Sequence, residues 1–354
     1  MYPRVLIDLH KFKSNVEVVK GRMDKRGIEV YGVTKVFCAD PLLTNIYVEA
    51  GLKAVADSRI RNIRKLEKLD ITKVLLRIPM QTEVEQVVRY ADVSLNSEIS
   101  TIRMLSEEAI RQGKVHQVIL MIDLGDLREG FFDEDELYQA TEEAKQLQGV
   151  EVIGIGTNLT CFGAVIPTLE HMERMIEIKN NLESRTGMKL DIISGGNSSS
   201  YYLLEDGRLP REINNLRIGE IFVCGNETAY GTRVSGTYDD VFILEAEIIE
   251  LKRKPSLPIG KSGVDAFGKQ PVYEDKGEMI RGIIAIGKQD ADMSGLIPLD
   301  DHIEMIGRSS DHMILDLTKS SQNYIVGDIM RFKLKYAGIL SVMTSEYVEK
   351  SFIK

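Results

Sequence analysis

The chain has 3 cysteines in 354 residues, and Cys38, Cys161 and Cys224 stand far apart. An odd number without short spacing excludes a disulfide framework and fits a reducing compartment. No apolar stretch approaches the roughly 18 residues that a membrane-spanning helix needs. The opening MYPRVLIDLHKFKSN is interrupted by Asp8 where a secretion signal would stay apolar. A cytoplasmic protein with no membrane partner is therefore expected. Basic runs are also absent, and 45 Lys and Arg against 54 Asp and Glu leave a net charge of −9. That balance argues against a nucleic-acid surface. The 5 histidines show no metal-ligand spacing, so no metal is expected. Gly154-Ile155-Gly156 lacks the third glycine of a dinucleotide fingerprint, and Gly260-Lys261-Ser262 has Pro255 where a P-loop needs glycine.

What is present is ordinary globular composition, 43% hydrophobic and 28% charged, which excludes disorder. Short β-branched runs alternate with helical patterns. The strand-like runs are Glu29–Val36, Leu52–Ala56, Lys73–Ile78, Asp92–Leu95, Gln117–Asp123, Val150–Thr157, Leu190–Ser194 and Ile213–Ile218. Between them apolar residues recur at helical spacing, as in Leu137, Ala140, Ala144 and Leu147. Asp40-Pro41 starts one such helix and Gly51 stops it. Strict alternation predicts a parallel sheet with crossovers. Eight units favour closure, because a barrel leaves no edge strand. The fold class is α/β: a (β/α)8 TIM barrel over residues 8–230, of the roughly 250-residue size such barrels take.

After about Gly231 the rhythm changes. Asp240–Leu251, Met279–Ile286, His312–Leu317 and Asp328–Tyr336 read as strands, and Lys254–Gly277 reads as loop. A C-terminal β domain over 231–354 is expected, with residues 1–7 as a strand added from the other terminus.

An eight-fold barrel carries its chemistry at the C-terminal ends of its strands, with phosphate held by the loops after strands seven and eight. After the seventh run comes SGGNSSSYY. Its glycines let backbone N–H groups approach an anion, and Ser198, Ser199 and Ser200 add hydroxyls. LRIGE follows the eighth run and adds Gly219. The same residues also read as two glycine turns with a serine cap. Lys35 ends the first run, where partial burial would make its amine a nucleophile; it also reads as a solvated strand-end lysine.

Together, the strand-one lysine, the cradle after strands seven and eight and Arg217 beside it resemble the alanine racemase-like family of pyridoxal 5′-phosphate enzymes. VTKVFCAD, GGNSSSYY, LRIGE and AIGKQDAD look most like its branch acting on ornithine. The resemblance covers nearly the whole chain. It implies that L- and D-ornithine are interconverted by α-proton abstraction from an external aldimine. Lys35 would hold the cofactor as a Schiff base and serve one face of the substrate. Ser198 and the backbone at Gly219 and Glu220 would bind its phosphate, and Tyr336 would reach the same group. Arg217 would face the pyridine nitrogen, Asn158 would lie against the ring, and Arg128 would lie near the phenolic oxygen. It further implies a homodimer with a shared active site and a small amino acid as the other partner.

Two departures stand out. The Gly-Tyr-Ala-Asp-Gly stretch of alanine racemases corresponds here to Gly287-Lys288-Gln289-Asp290-Ala291-Asp292. Lys288 takes the place of the tyrosine that serves the opposite face, and Asp290 aligns with the aspartate. Both are candidate catalytic residues. Ala39 stands where a phosphate-binding tyrosine follows the lysine. Asp290, Asp292, Asp300 and Asp301 form an acidic neighbourhood that would attract a second substrate ammonium, or reads as a solvated turn. Two other readings remain open: an alanine or broad-specificity racemase, and a non-catalytic pyridoxal phosphate-binding protein.

Overall fold

The computed structural model describes residues 1–354 other than 265, 266, 269 and 271, which fall within the segment read as loop. The chain divides into two compact units: Lys11–Tyr238, and Met1–His10 with Asp239–Lys354.

The first unit is a closed eight-stranded parallel barrel. In chain order its strands are Glu29–Val33, Ala54–Asp57, Thr72–Leu75, Val93–Asn96, His116–Ile122, Val150–Thr157, Ile192–Ser194 and Asn215–Ile218. The first and eighth close it, with Tyr31 opposite Arg217 and Glu29 opposite Asn215. Period-2 alternation places Tyr31, Val33, Ala54, Ala56, Val74, Val93, Leu95, Ile119 and Met121 in one buried core cluster. The crossover helices form where periodicity and caps agree. Asp40 accepts the N–H groups of Leu42 and Leu43 and so starts Pro41–Glu49, with proline at the position that needs no donor. Thr168 and His171 close a capping box on Leu169–Thr186.

The division falls after Tyr238 rather than at 230, because 231–238 is tied back to the barrel unit. Tyr238 N–H donates to Asn15 Oδ1 at 2.6 Å, and Arg22 Nη2 donates to the Ser235 carbonyl at 2.6 Å.

The second unit is a largely antiparallel sheet. Its continuous order is Leu296–Pro298, Ile329–Leu334, Phe242–Pro255, Glu278–Ile284, Met313–Asp316, Glu304–Arg308. Arg4–Asp8 pairs with Phe242–Pro255 and runs parallel to Glu349–Ile353. Glu245, fully buried, is held between Arg4 at 2.7 Å and Arg331 at 2.8 Å. The strand Phe242–Pro255 runs past Leu251, and Leu296–Pro298, Glu304–Arg308 and Glu349–Ile353 are further strands. Their short or charged sequences carry little alternation. Tyr336 does not end a strand: it opens the helix Tyr336–Thr344. That helix passes so close to Gly295 that a Cβ there would lie 2.0 Å from the Gly338 nitrogen, a contact between backbones that periodicity does not encode. Among the described residues no helix is long and apolar enough to cross a membrane.

Candidate active site at the barrel mouth

Five non-glycine residues among those described have positive φ: Cys38, Ala39, Leu127, Thr160 and Ala164. All lie in loops after the first, fifth and sixth barrel strands, at one end of the barrel. Strained backbone persists only where its surroundings over-determine it, and it concentrates at functional sites.

Lys35 stands at this end. The strand stops at Val33, and Lys35 opens a short 3-10 turn, Lys35–Phe37, so it follows the strand instead of ending it. It is half-buried. Its charge acts on two carboxyl groups, Asp57 at the end of the second strand and Glu220 after the eighth. Burial pushes the Glu220 carboxyl up to about 7, with the Lys35 charge opposing and Glu227 reinforcing the rise.

The loops after strands seven and eight meet beside that lysine's strand. Asn197 caps the turn Ser198–Ser200 by accepting the Ser199 N–H at 2.7 Å. Gly219 N–H donates to Ser198 Oγ at 3.5 Å, and Gly219 precedes the helix Glu220–Cys224. The glycines are required here. A Cβ on Gly196, at φ +113°, would lie 2.7 Å from Ser200 Oγ, and one on Gly219 would lie 2.9 Å from Val33 Cβ. Ser199 Oγ is buried without a hydrogen-bond partner among the described residues.

Arg217 lies below this cradle on the eighth strand and is 4% exposed. Its Nη1 donates to Ser194 Oγ at 2.5 Å and its Nη2 to the Thr157 carbonyl at 2.6 Å. Burial lowers its pKa to about 10, so it remains a cation at neutral pH. The Tyr31 hydroxyl beside it is pushed above the ordinary tyrosine range by burial, the Arg217 charge opposing.

Asn158 begins the loop after strand six. Its Oδ1 accepts from Asn197 Nδ2 at 3.0 Å, while its own Nδ2 is buried without a partner among the described residues. Asp126, 1% exposed, accepts the N–H groups of Thr160 (3.0 Å), Phe162 (3.0 Å), Gly163 (3.1 Å) and Val165 (3.3 Å). This carboxylate stitches the fifth-strand loop to the sixth. Arg128, two residues on, is exposed and paired bidentately with Glu129.

The barrel thus brings Lys35, Arg128, Asn158, Ser198, Arg217, Gly219 and Glu220 to one end. Lys288, Asp290 and Tyr336 belong to the other unit. There Lys288 Nζ sits 3.7 Å from the centre of the Phe267 ring. Asp290, 5% exposed, accepts the Gly287 N–H at 2.9 Å with Oδ2, and its Oδ1 is buried without a partner among the described residues. Asp292 caps the turn Met293–Gly295, and Asp300 accepts from Ser320 at 2.6 Å and Tyr324 at 3.1 Å. Asp301 Oδ1 lies 3.0 Å from His302 Nδ1, so all four acidic residues are engaged locally. Sequence reasoning missed Asp57, Asp126 and Asn197. Only Asp57 left a trace, as the polar end of the apolar run AVAD, level with the lysine turn.

The model of the alanine racemase N-terminal domain matches residues 7–226. The chain belongs to that family. It is 48% identical over 353 residues to the ornithine racemase of Acetoanaerobium sticklandii, covering 100% of both chains. It is 40% identical over 354 residues to the lysine racemase of Thermotoga maritima, covering 99% of each. In fold it is similar to alanine racemase from Bartonella henselae with covalently bound pyridoxal phosphate, at TM-score 0.74 and 15% identity, covering 99% of both chains. This kinship makes the chain an amino-acid racemase with a TIM barrel and a C-terminal β domain.

The barrel mouth fits a phosphorylated aromatic aldehyde. Ser199 Oγ and Asn158 Nδ2 are buried polar atoms lacking partners among the described residues, and such atoms cost free energy until something pairs with them. The backbone at Gly196 and Gly219 is bare where a Cβ would collide, an amine stands at the rim, and a buried cation lies beneath.

Proposed function

We propose that this protein interconverts L- and D-ornithine using pyridoxal 5′-phosphate held at the barrel mouth. The observation that carries the proposal is that Lys35, Ser198 and Gly219 follow strands one, seven and eight, with Arg217 on strand eight, and these three strands are neighbours in the closed barrel. Full-length identity of 48% to an ornithine racemase supports the substrate. When bound, the cofactor supplies a conjugated ring that delocalises the electron pair left on the α-carbon after proton loss.

The chain's own residues do the rest. Lys35 Nζ would hold the aldehyde at rest, and the freed amine would take or return the α-proton on one face of the substrate. Arg217 stays protonated and offers N–H donors to the ring nitrogen without giving up a proton. Arg217 would thereby leave the ring nitrogen without a proton, which would limit side reactions such as transamination. Ser198 and the backbone at Gly219 and Glu220 would hold the phosphate, with Tyr336 joining them. Asn158 would lie against the ring, and Arg128 would serve the phenolic oxygen. Lys288 serves the opposite face, and Asp290 holds its turn. The active protein is a cytoplasmic homodimer in which the β domain of one chain completes the barrel mouth of the other.

The test joins spectroscopy, mass spectrometry, chiral chromatography and kinetics. Purified protein is yellow, bleaches with borohydride, and carries the reduced pyridoxyl group on Lys35 by mass spectrometry. Lys35→Ala loses the colour and the racemisation of ornithine followed by chiral chromatography. An adduct elsewhere, or retained turnover, overturns the assignment. A higher kcat/KM for lysine or alanine than for ornithine overturns the substrate.

A further inference from the structure

Asp57 closes the second barrel strand and is 1% exposed. Its Oδ2 accepts the Thr34 hydroxyl at 2.8 Å. Its Oδ1 accepts the Arg59 N–H at 2.9 Å and Asn62 Nδ2 at 3.1 Å. Thr34 immediately precedes Lys35, and its own N–H donates to the Ala56 carbonyl at 2.9 Å. The end of the second strand therefore grips the start of the lysine turn at two points. That turn leaves through Cys38 at φ 56° and Ala39 at φ 51°, a conformation that L residues hold only under restraint.

The hydrogen-bond donors around Asp57 are a hydroxyl, an amide and a backbone N–H, none of them charged. A buried carboxylate with neutral donors needs a cation nearby. The Lys35 charge acts on it. Burial raises the Asp57 carboxyl, and the three donors and Lys35 oppose that rise. Two further elements face the same lysine or its turn. The Lys35 charge acts as well on Glu220, at the start of the helix after strand eight, and so does Glu227. Lys65 Nζ donates to the Cys38 carbonyl at 2.7 Å.

We infer that Asp57 is a positioning residue for Lys35: it fixes the lysine turn through Thr34, and its negative charge stabilises the proton that Lys35 Nζ holds between taking it from the substrate and returning it. The inference rests on the acid–base role of Lys35 proposed above. An amine that must cycle between neutral and protonated states gains from a fixed counter-charge, which lowers the energy of the ammonium without competing for the proton as a mobile base would.

The test uses the cofactor-loaded protein and its colour. Asp57→Asn keeps an oxygen for the Thr34 hydroxyl and removes the charge. The pH midpoint at which the yellow lysine-linked chromophore loses its proton falls by about one unit, the lower end of the effect of an opposite charge at close range. The titration is repeated in a Glu220→Gln background, where the same shift persists because it belongs to Asp57. Thr34→Val removes the clamp and leaves the charge. Its midpoint stays in place, kcat falls, and Thr34→Ser restores kcat. An unmoved midpoint in Asp57→Asn, or a shift that vanishes with Glu220, overturns the inference. If Asp57→Asn does not fold, a midpoint shift in Thr34→Val equal to that expected for Asp57→Asn overturns it instead. Lys35→Ala separates the two proposals: loss of colour and activity there, with an unmoved midpoint in Asp57→Asn, leaves the proposed function standing and removes this role alone.

Discussion

Arg217→Met asks whether a buried cation is retained for chemistry or for the fold. The fall of the Arg217 pKa from 12.5 to about 10 corresponds to about 3 kcal/mol of unfavourable burial at neutral pH. Against this stand its bonds to Ser194 Oγ and the Thr157 carbonyl, which contribute about 1.5–3 kcal/mol each. On substitution Ser194 keeps its bond to Asn215 Oδ1 at 2.5 Å. The Thr157 carbonyl and Ser194 Oγ each lose the Arg217 donor, and methionine fills much of the vacated space. The opposing effects nearly cancel. The cofactor-stripped variant should lie within about 2 kcal/mol of the parent protein, whereas breaking a buried ion pair costs about 3–5 kcal/mol. In thermal unfolding that is a Tm shift of no more than about 8 °C. Racemisation of ornithine, followed by chiral chromatography, should fall about a hundredfold or more, the typical effect of removing a preorganised electrostatic donor. A stability loss above about 4 kcal/mol with turnover retained in the folded fraction would show that Arg217 is a structural strut, and the reasoning about the ring nitrogen would fail.

Other consequences are as specific. Gly219→Ala brings a Cβ to 2.9 Å from Val33 Cβ, so the cradle must move; pyridoxal phosphate titration should show weakened binding, with about 1–3 kcal/mol of stability lost. Glu220, raised from 4.5 to about 7, binds its proton more tightly when folded, so its contribution to stability is complete below about pH 4.5 and is lost as pH rises through about 7. Urea unfolding of the cofactor-stripped protein across that window should show a decline that Glu220→Gln removes; equal slopes in both proteins refute it. Lys288→Ala should abolish racemisation yet leave deuterium exchange at the α-carbon of one enantiomer, and exchange with both enantiomers would place the second proton donor elsewhere.

The barrel was legible because its signal is local. A strand buried in a barrel repeats every two residues and a crossover helix every 3.6, so runs such as Val150–Thr157 and the spacing Leu137, Ala140, Ala144 announce themselves. The rim lysine and the glycine–serine turn were legible for the same reason, since their rank along the alternation places them at the barrel mouth. The second unit was less so. Leu296–Pro298 and Glu349–Ile353 are short or charged, and they are strands because neighbours pair with them. Tyr336 passed for the end of an alternating strand, although the close approach of Gly295 and Gly338 makes it the start of a helix.

By itself, then, the amino-acid order determined the alternation of elements, the count of barrel strands and which residues reach the rim. These follow from backbone geometry and from the burial of apolar faces, both set within a few residues. Tertiary structure alone decided that Asp57 receives Thr34, that Asp126 gathers four N–H groups from another loop, and that Arg217 is buried against Ser194 and Thr157. A buried polar group must find its partner wherever the fold delivers one, and Arg217 and Thr157 stand sixty positions apart in the chain. No periodicity spans that distance.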